Sequence, residues 1–542
     1  MTSGTQTVQT VQAVFLLLLV FVALFTGLAR RLKIAYPIVL VIAGLLVSFI
    51  PGMPRIPLNP DLVFLVFLPP LLYSAAWTLS WREFQRNFVS IAMLAIGLVT
   101  FTVLGLAKAS VWFLPGFDWR SGFLLGAVVA ATDPIAATSI ARRMGMSQRI
   151  VDILEAESLI NDGTGLLAFQ FGLMILMQGY TPTVIGGVGR LIYLMGAGVL
   201  IGLLIGIVVA WFDRWVNDGP IEIVISILVP FGAYLAGNAI HASGVLAVIA
   251  CGMYMSRRSS DIFQPGVRLQ HEAVWEALTF ILNGIVFVLI GLQLPYVMDE
   301  IRGIGRLTLI EYATAFSLLM ILVRMLWVFA ETYGTYTIRQ WLKTPENAKP
   351  EARSVFVIGW GGMRGVLSLA AALTLPYTLP GGHRFQQRSL IVFLTFSLIL
   401  ATLVIQGLPL PWLIKKLGLA RSQHENFEET EARRMLLREA LNFLQRSPQD
   451  SEADREDIPA PILQDLARHY QQRLDALPIQ KHQPAPGYWD NRKQNQMLVE
   501  VIGVERAILA RLRNEGKIDD DVMRTLQREL DLTESRLHTG SH

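Results

Sequence analysis

The sequence predicts an all-α polytopic membrane protein. About 13 transmembrane helices form two inverted six-helix repeats with broken helices 5 and 12, and a helical cytosolic tail follows. Three observations carry this. The 542-residue chain is 53% hydrophobic and 16% charged, whereas ordinary soluble domains carry about 25% charged residues. Charges are sparse up to about Leu417 and dense beyond it. Thirteen mainly apolar segments approach the ~20 residues that a membrane helix needs.

In order, the segments fall near 11–28, 36–51, 62–78, 88–107, 121–142, 150–176, 187–211, 221–238, 242–256, 272–294, 306–335, 354–376 and 390–416. The first has no Lys or Arg in the ten residues before it and Arg30, Arg31 and Lys33 after it. A signal peptide has the reverse arrangement, so this run is expected to be a membrane helix with its N-terminus outside. The eighth and ninth are short, with only Ala239, Ile240 and His241 between them. With this topology the inside loops hold 18 Lys and Arg and the outside loops 8. Basic residues favour cytoplasmic loops, which places the C-terminus in the cytoplasm.

Two segments are interrupted. The fifth contains Thr132-Asp133-Pro134, and the twelfth contains the run from Gly359 to Gly365. They lie seven spans apart, which pairs spans 1–6 with 8–13 and leaves the seventh as a linker. Halves separated by an odd helix run in opposite directions, and broken helices at matched positions of inverted repeats point to a transporter's midplane site.

The polar residues at that depth are costly and need a reason. Asp133 before Pro134 fits an N-cap followed by proline at the first helical position. Such a capping role is compatible with a site, because the break frees carbonyls such as that of Thr132. In the sixth segment Glu157 and Asn161 are spaced i,i+4, as are Ser158 and Asp162, so all four lie on one side of a helix. Asp162 lies about 18 Å along the axis at 1.5 Å per residue, near the middle of a bilayer. Carboxylates, a hydroxyl, an amide and a bare carbonyl make an oxygen-rich site suited to a hard cation. The competing explanation is a buried polar network that holds helices together. Asp152 and Glu155 lie nearer the inner face, as an electrostatic lining or a solvated helix end. Arg324 in span eleven and Arg364 beside the glycine break can each pair with Asp133 or Glu157. Arg364 can also offset the negative end of a half helix, and either arginine can snorkel to the interface.

These residues resemble the monovalent cation:proton antiporter family, in its sodium/proton exchanger branch of bacterial type. The matching pieces are Ala131-Thr132-Asp133-Pro134, Glu157 to Asp162, and Gly361-Gly362-Met363-Arg364-Gly365. Leu68 to Tyr73, Ser243 to Gly252 and Leu282 to Leu294 support them. The resemblance implies the sodium/proton antiporter fold over residues 1–417. Spans 4–6 and 11–13 would form a mobile core, spans 1–3 and 8–10 the scaffold of a homodimer. It implies that Asp162 carries either a proton or Na⁺, that Glu157, Ser158 and the Thr132 carbonyl complete the cation shell, and that Asn161 orients Glu157. Arg324 matches the family's basic residue in its span. Na⁺ and H⁺ would be substrates rather than cofactors, of which none is expected. The bilayer is the other partner, and a bacterial inner membrane is the expected location. Asn161 cannot titrate, and Arg324 effectively never deprotonates, so one cation is expected to exchange for one proton without net charge movement. Glu157, which can titrate, is the weak point of that step.

Residues 418–542 turn polar, with amphipathic stretches Glu429 to Arg446, Pro461 to Leu477, Asn495 to Glu515 and Asp519 to Leu537. They suggest a small helical domain with a regulatory role or a dimer-stabilising one. The composition excludes several classes. Cys251 is the only cysteine, so neither an intrachain disulfide nor a multi-Cys metal site can form. His271-Glu272 is followed by Trp275 rather than a second histidine, so no zinc-protease pair exists. The net charge of +4 says little about nucleic acid, since the basic residues of the membrane half sit in short loops, and no nucleic-acid partner is expected. A K⁺-selective antiporter, a cation channel and an intramembrane aspartyl protease are the alternatives. Neither Asp133 nor Asp162 lies in the Gly-x-Gly-Asp context of the last, and a channel filter usually comes from symmetric subunits around one pore.

Overall fold

A computed structural model of the chain describes residues 2–50, 59–79, 81–178, 184–216, 218–263, 265–301, 304–341, 350–380, 382–420, 427–445 and 460–475, with short stretches between 502 and 534. Contacts divide the chain into two compact units, Met1–Arg421 and Ser422–His542. Helices dominate, and among the described residues the β-structure is one isolated bridge, Thr378 to Arg384. This follows from the solvent. In lipid every backbone donor and acceptor must be satisfied within the chain, and a helix does so by itself.

Among the described residues, ten helices of the first unit are long and apolar enough to cross a membrane. Of the other predicted segments, the second is the shorter apolar helix Tyr36–Val47, and the ninth is Gly244–Ile262. The twelfth is two pieces, Ala352–Trp360 and Val366–Leu373. The ninth runs past its apolar part, through Arg257 and Arg258. Its start is sharp because the Ser243 hydroxyl accepts from Leu246 N at 3.2 Å. The tight turn before it places His241 at a positive φ of 55°.

Burial separates inner helices from outer ones. In an 18-residue apolar window of Trp119–Arg143, 72% of the residues are buried within the protein, against 17% in one of Ile185–Val216. The latter turns Ile192, Leu200, Leu204 and Trp211 outward, as expected where the surroundings are apolar. The larger apolar cluster joins residues of both broken helices, such as Val129 and Leu369, to the last long helix around Ile391 and Leu394. A second cluster gathers Tyr73, Ala76, Ile249 and Trp275. The two broken segments therefore lie deep in the bundle.

In the second unit, Phe427–Gln445 and Ala460–Asp475 are helical and pack on each other. The stretches expected at Asn495 to Glu515 and Asp519 to Leu537 lie mostly outside the described residues.

Candidate functional site: two crossed broken helices

The fifth segment breaks between Trp119–Ala130 and Pro134–Arg143, leaving Ala131, Thr132 and Asp133 extended or turning. Asp133 caps the second piece: its Oδ1 accepts from Ile135 N at 2.9 Å, and Pro134 follows at the first helical position. The twelfth breaks over Gly361 to Gly365. The two breaks touch. Asp133 N donates to Met363 O at 2.8 Å, and Ser368 Oγ donates to Ala131 O at 3.3 Å.

Two glycines make room for this crossing. A Cβ on Gly365 would lie 2.6 Å from Asp133 Cβ, and one on Gly362 would lie 1.9 Å from Arg324 Nε. Both positions therefore exclude any side chain without displacement of a neighbour.

The helix Gln148–Gln178 runs unbroken beside the crossing. Ser158 Oγ donates to the freed Thr132 carbonyl. Asn161 Nδ2 donates to Thr132 Oγ1 at 3.3 Å. Glu157 is held by Arg324 through a two-point contact, Nη1 to Oε1 at 2.6 Å and Nη2 to Oε2 at 2.8 Å. Both side chains are buried. A planar guanidinium matches a carboxylate in this way. Arg324 also donates Nε to Gly359 O at 3.1 Å and Nη2 to Ile358 O at 3.3 Å. Those carbonyls belong to the C-terminal turn of Ala352–Trp360, where a cation offsets the negative helix end. Of the partners left open by the sequence, Arg324 has Glu157. The group that orients Glu157 here is Arg324, whereas Asn161 bonds to Thr132.

Arg364 is anchored by its backbone, with N donating to Thr402 Oγ1 at 3.1 Å. Its guanidinium is buried, and Nε and Nη1 have no hydrogen-bond partner among the described residues. The charges of Asp133 and Arg364 act on Asp162.

A cavity of about 220 Å³ reaches this point. Thr132, Asp133, Ser158 and Asp162 line it, and Glu157, Asn161, Arg324 and Arg364 do not. The arrangement thus has two layers: oxygen atoms that face the cavity, and an ion pair with a second guanidinium packed behind them. Glu155, at the rim, accepts from Arg142 Nη2 at 2.7 Å. The opposite wall carries Ser74, Thr78, Thr279 and Asn283. Sequence reasoning passed over these four and Ser368. Their signal is an i,i+4 pair of small polar residues on each of two apolar helices, weak alone but consistent in placing both pairs on one wall.

Chemically, the cavity offers two carboxylates, a hydroxyl and a break-freed carbonyl in one lining. Oxygen donors of this kind suit a small hard cation, and a carboxylate can also take up a proton.

Comparison with known proteins identifies the family. Residues 16–416 match the family model for the sodium/hydrogen exchanger transmembrane domain. An uncharacterized Na⁺/H⁺ exchanger of Mycobacterium tuberculosis is 31% identical, over 97% of this chain and 96% of its own. The Na⁺/H⁺ antiporter ApNhaP of Aphanothece halophytica is 32% identical over 77% of this chain and 76% of its own. A sodium, potassium, lithium and rubidium/H⁺ antiporter of Bacillus pumilus is 29% identical over 95% of this chain and 76% of its own. The fold is similar to that of the sodium proton antiporter MjNhaP1 of Methanocaldococcus jannaschii, with a TM-score of 0.57 at 20% identity over 76% of this chain and all of that one. The chain is a multi-pass membrane protein of the sodium/hydrogen exchanger family, a family of antiporters.

Proposed function

We propose that the protein exchanges one Na⁺ for one H⁺ across the membrane, by alternating access around Asp162. The observation that carries this is the charge count at the crossing. Asp133, Glu157 and Asp162 supply three carboxylates, and Arg324 and Arg364 supply two guanidiniums. One uncompensated negative charge remains at a buried, cavity-lined point. A single monovalent cation or a single proton neutralises it, and both together overshoot. An unpaired charge crossing a hydrophobic gate is costly, so the loaded site moves and the empty one stays.

Asp162 is the central ligand in this scheme, with Ser158 Oγ and the Thr132 carbonyl beside it. Glu157 serves as the partner of Arg324 in this conformation, and becomes a ligand only if one oxygen is released. Asp133 caps its half helix and adds to the field. Spans 4–6 and 11–13 of a thirteen-helix domain, residues 1–417, move as a core past a scaffold of spans 1–3 and 8–10 in a homodimer. The cavity is lined by the inner parts of its spans, from Thr78, Thr138, Glu155 and Thr279 up to Asp162. With the N-terminus outside and the C-terminus cytoplasmic, the conformation is inward-facing. A bacterial inner membrane fits this arrangement. The range of cations named for the Bacillus pumilus antiporter makes K⁺ and Li⁺ the rival substrates.

The test uses purified protein in liposomes with an acid interior and a pH dye. Na⁺, Li⁺ or K⁺ is added outside, and the parent is compared with Asp162→Asn. Saturable, cation-dependent alkalinisation that disappears in the variant is expected. Persistence in the variant moves the carrier to Glu157 or Asp133, and flux without counter-transport indicates a channel. The 1:1 ratio has its own check: a voltage imposed with valinomycin at equal pH must drive no Na⁺ flux.

A further inference from the structure

At the end of the bundle away from the cavity, Arg388 opens the last long apolar helix, Arg388–Gln406. Its side chain is 4% exposed. Nε donates to Leu375 O at 2.8 Å and Nη2 to Leu373 O at 3.2 Å. The guanidinium also sits 3.8 Å above the ring of Tyr377. These partners all follow or end the half helix Val366–Leu373, so Arg388 is fixed to the twelfth and thirteenth spans. Its remaining contact is of another kind. Nη1 donates to Glu300 Oε2 at 2.7 Å, and Tyr377 Oη donates to Glu300 Oε1 at 3.3 Å. Glu300 ends the short helix Leu294–Glu300, the continuation of the tenth span.

We propose that Glu300 is a gating residue of the exchange cycle, the scaffold half of a latch that keeps the outer side closed. The proposal rests on the alternating-access reading given above, because that reading places Glu300 on the scaffold and Arg388 with Tyr377 on the core. Both oxygens of Glu300 are held from the other body. Hydrogen bonds weaken steeply once distance and angle leave a narrow range, so this two-point contact cannot survive a displacement of the core along the scaffold by several ångströms. Outward opening therefore breaks it. Arg388 keeps its own carbonyl partners when Glu300 is lost, which makes Glu300 the separable half. A hydrogen bond to a charged group outweighs one between neutral groups, and partial exposure of Glu300, 28%, reduces the gain. Roughly a tenfold shift between inward- and outward-facing populations is expected from these two terms.

The experiment compares the parent with Glu300→Gln, Glu300→Asp and Tyr377→Phe in liposomes of known orientation. Apparent KM for Na⁺ is measured at each face. A site available only in a minor state shows an affinity reduced by that state's population. Glu300→Gln is therefore expected to lower the outer-face KM by up to about tenfold, without the same fall at the inner face. Tyr377→Phe shifts it less, and Glu300→Asp recovers part of the parent value. A purely structural contact would lower thermal stability and leave the ratio of the two KM values alone, and that result overturns the latch. Spin labels at Asp61→Cys and Gln386→Cys, on the outer ends of the third and last spans, give a readout without transport. Cys251 is buried and stays in place. A parent that shows no cation-dependent exchange overturns the exchange reading. The label distances then decide the latch alone: a new, displaced population in Glu300→Gln supports it, and unchanged distances sink it.

Discussion

Replacing Arg324 by Met isolates what the buried ion pair does. Glu157 and Arg324 are both buried and meet through contacts of 2.6 and 2.8 Å. Taking away one partner leaves the other as an uncompensated charge in an apolar interior, which costs about 3–5 kcal/mol. Arg324→Met also frees the Gly359 and Ile358 carbonyls, adding about 1 kcal/mol for each neutral acceptor left in place. Glu157→Met strands the arginine instead and is expected to cost a similar ~3–5 kcal/mol. The double variant carries neither charge. Replacing a buried pair by apolar residues of similar volume is often neutral, so the double variant should lose little more than the two carbonyl contacts, about 1–2 kcal/mol. The cycle therefore predicts a strongly non-additive result, with the double variant more stable than either single one. Reversible unfolding of purified protein in mixed micelles measures all four species. Additive losses would refute the argument, because they would mean that the two charges do not depend on each other. Arg324→Lys refines the test: an ammonium cannot reproduce the fork, so an intermediate loss is expected.

Asp133→Asn should hold stability within a few tenths of a kcal/mol, since Asn caps a helix about as well as Asp, whereas Asp133→Ala should cost about 1 kcal/mol; thermal unfolding separates them. The same Asp133→Asn change leaves two carboxylates against two guanidiniums at the crossing, so Na⁺-driven exchange should be lost although the fold is intact, as the liposome assay would show. Gly362→Ala places a methyl at 1.9 Å from Arg324 Nε and should displace the guanidinium, giving a loss comparable to Arg324→Met, ~3 kcal/mol or more; stability equal to the parent would show that the arginine can relax away. Ser368→Ala removes one link between the breaks and should cost about 1 kcal/mol, again by unfolding.

The helical class was readable because the bilayer leaves few options, and runs of apolar residues mark it directly. The broken segments were readable too, since Asp133-Pro134 and the Gly361 to Gly365 run violate helix chemistry in otherwise apolar surroundings. Partnerships were harder. Helical spacing places Glu157, Ser158, Asn161 and Asp162 on one side, but it cannot say that Arg324, 167 residues away, takes both oxygens of Glu157. Nor can it divide that side into a layer facing the cavity and a layer behind it. Such choices depend on helix rotation and crossing, which are set by packing among distant segments. Segment ends differ at the ninth helix, which runs on to Ile262 rather than 256, and at the tenth, which begins at Pro265 rather than 272, because hydropathy locates the apolar middle and not the polar turns at either end.

The crossing also constrains how the protein is made. Ser368 reaches Ala131 across 237 residues, and Glu157 waits for Arg324 across 167. A nascent chain carries Thr132, Glu157 and Asp162 into the bilayer well before their partners leave the ribosome. Until then the first half holds buried charge and bare carbonyls with nothing to answer them. A fragment ending before Arg324 should accordingly be degraded, and be rescued when the second half is co-expressed, as pulse-chase labelling would reveal. The last third of the membrane unit is thus a built-in assembly checkpoint for the first.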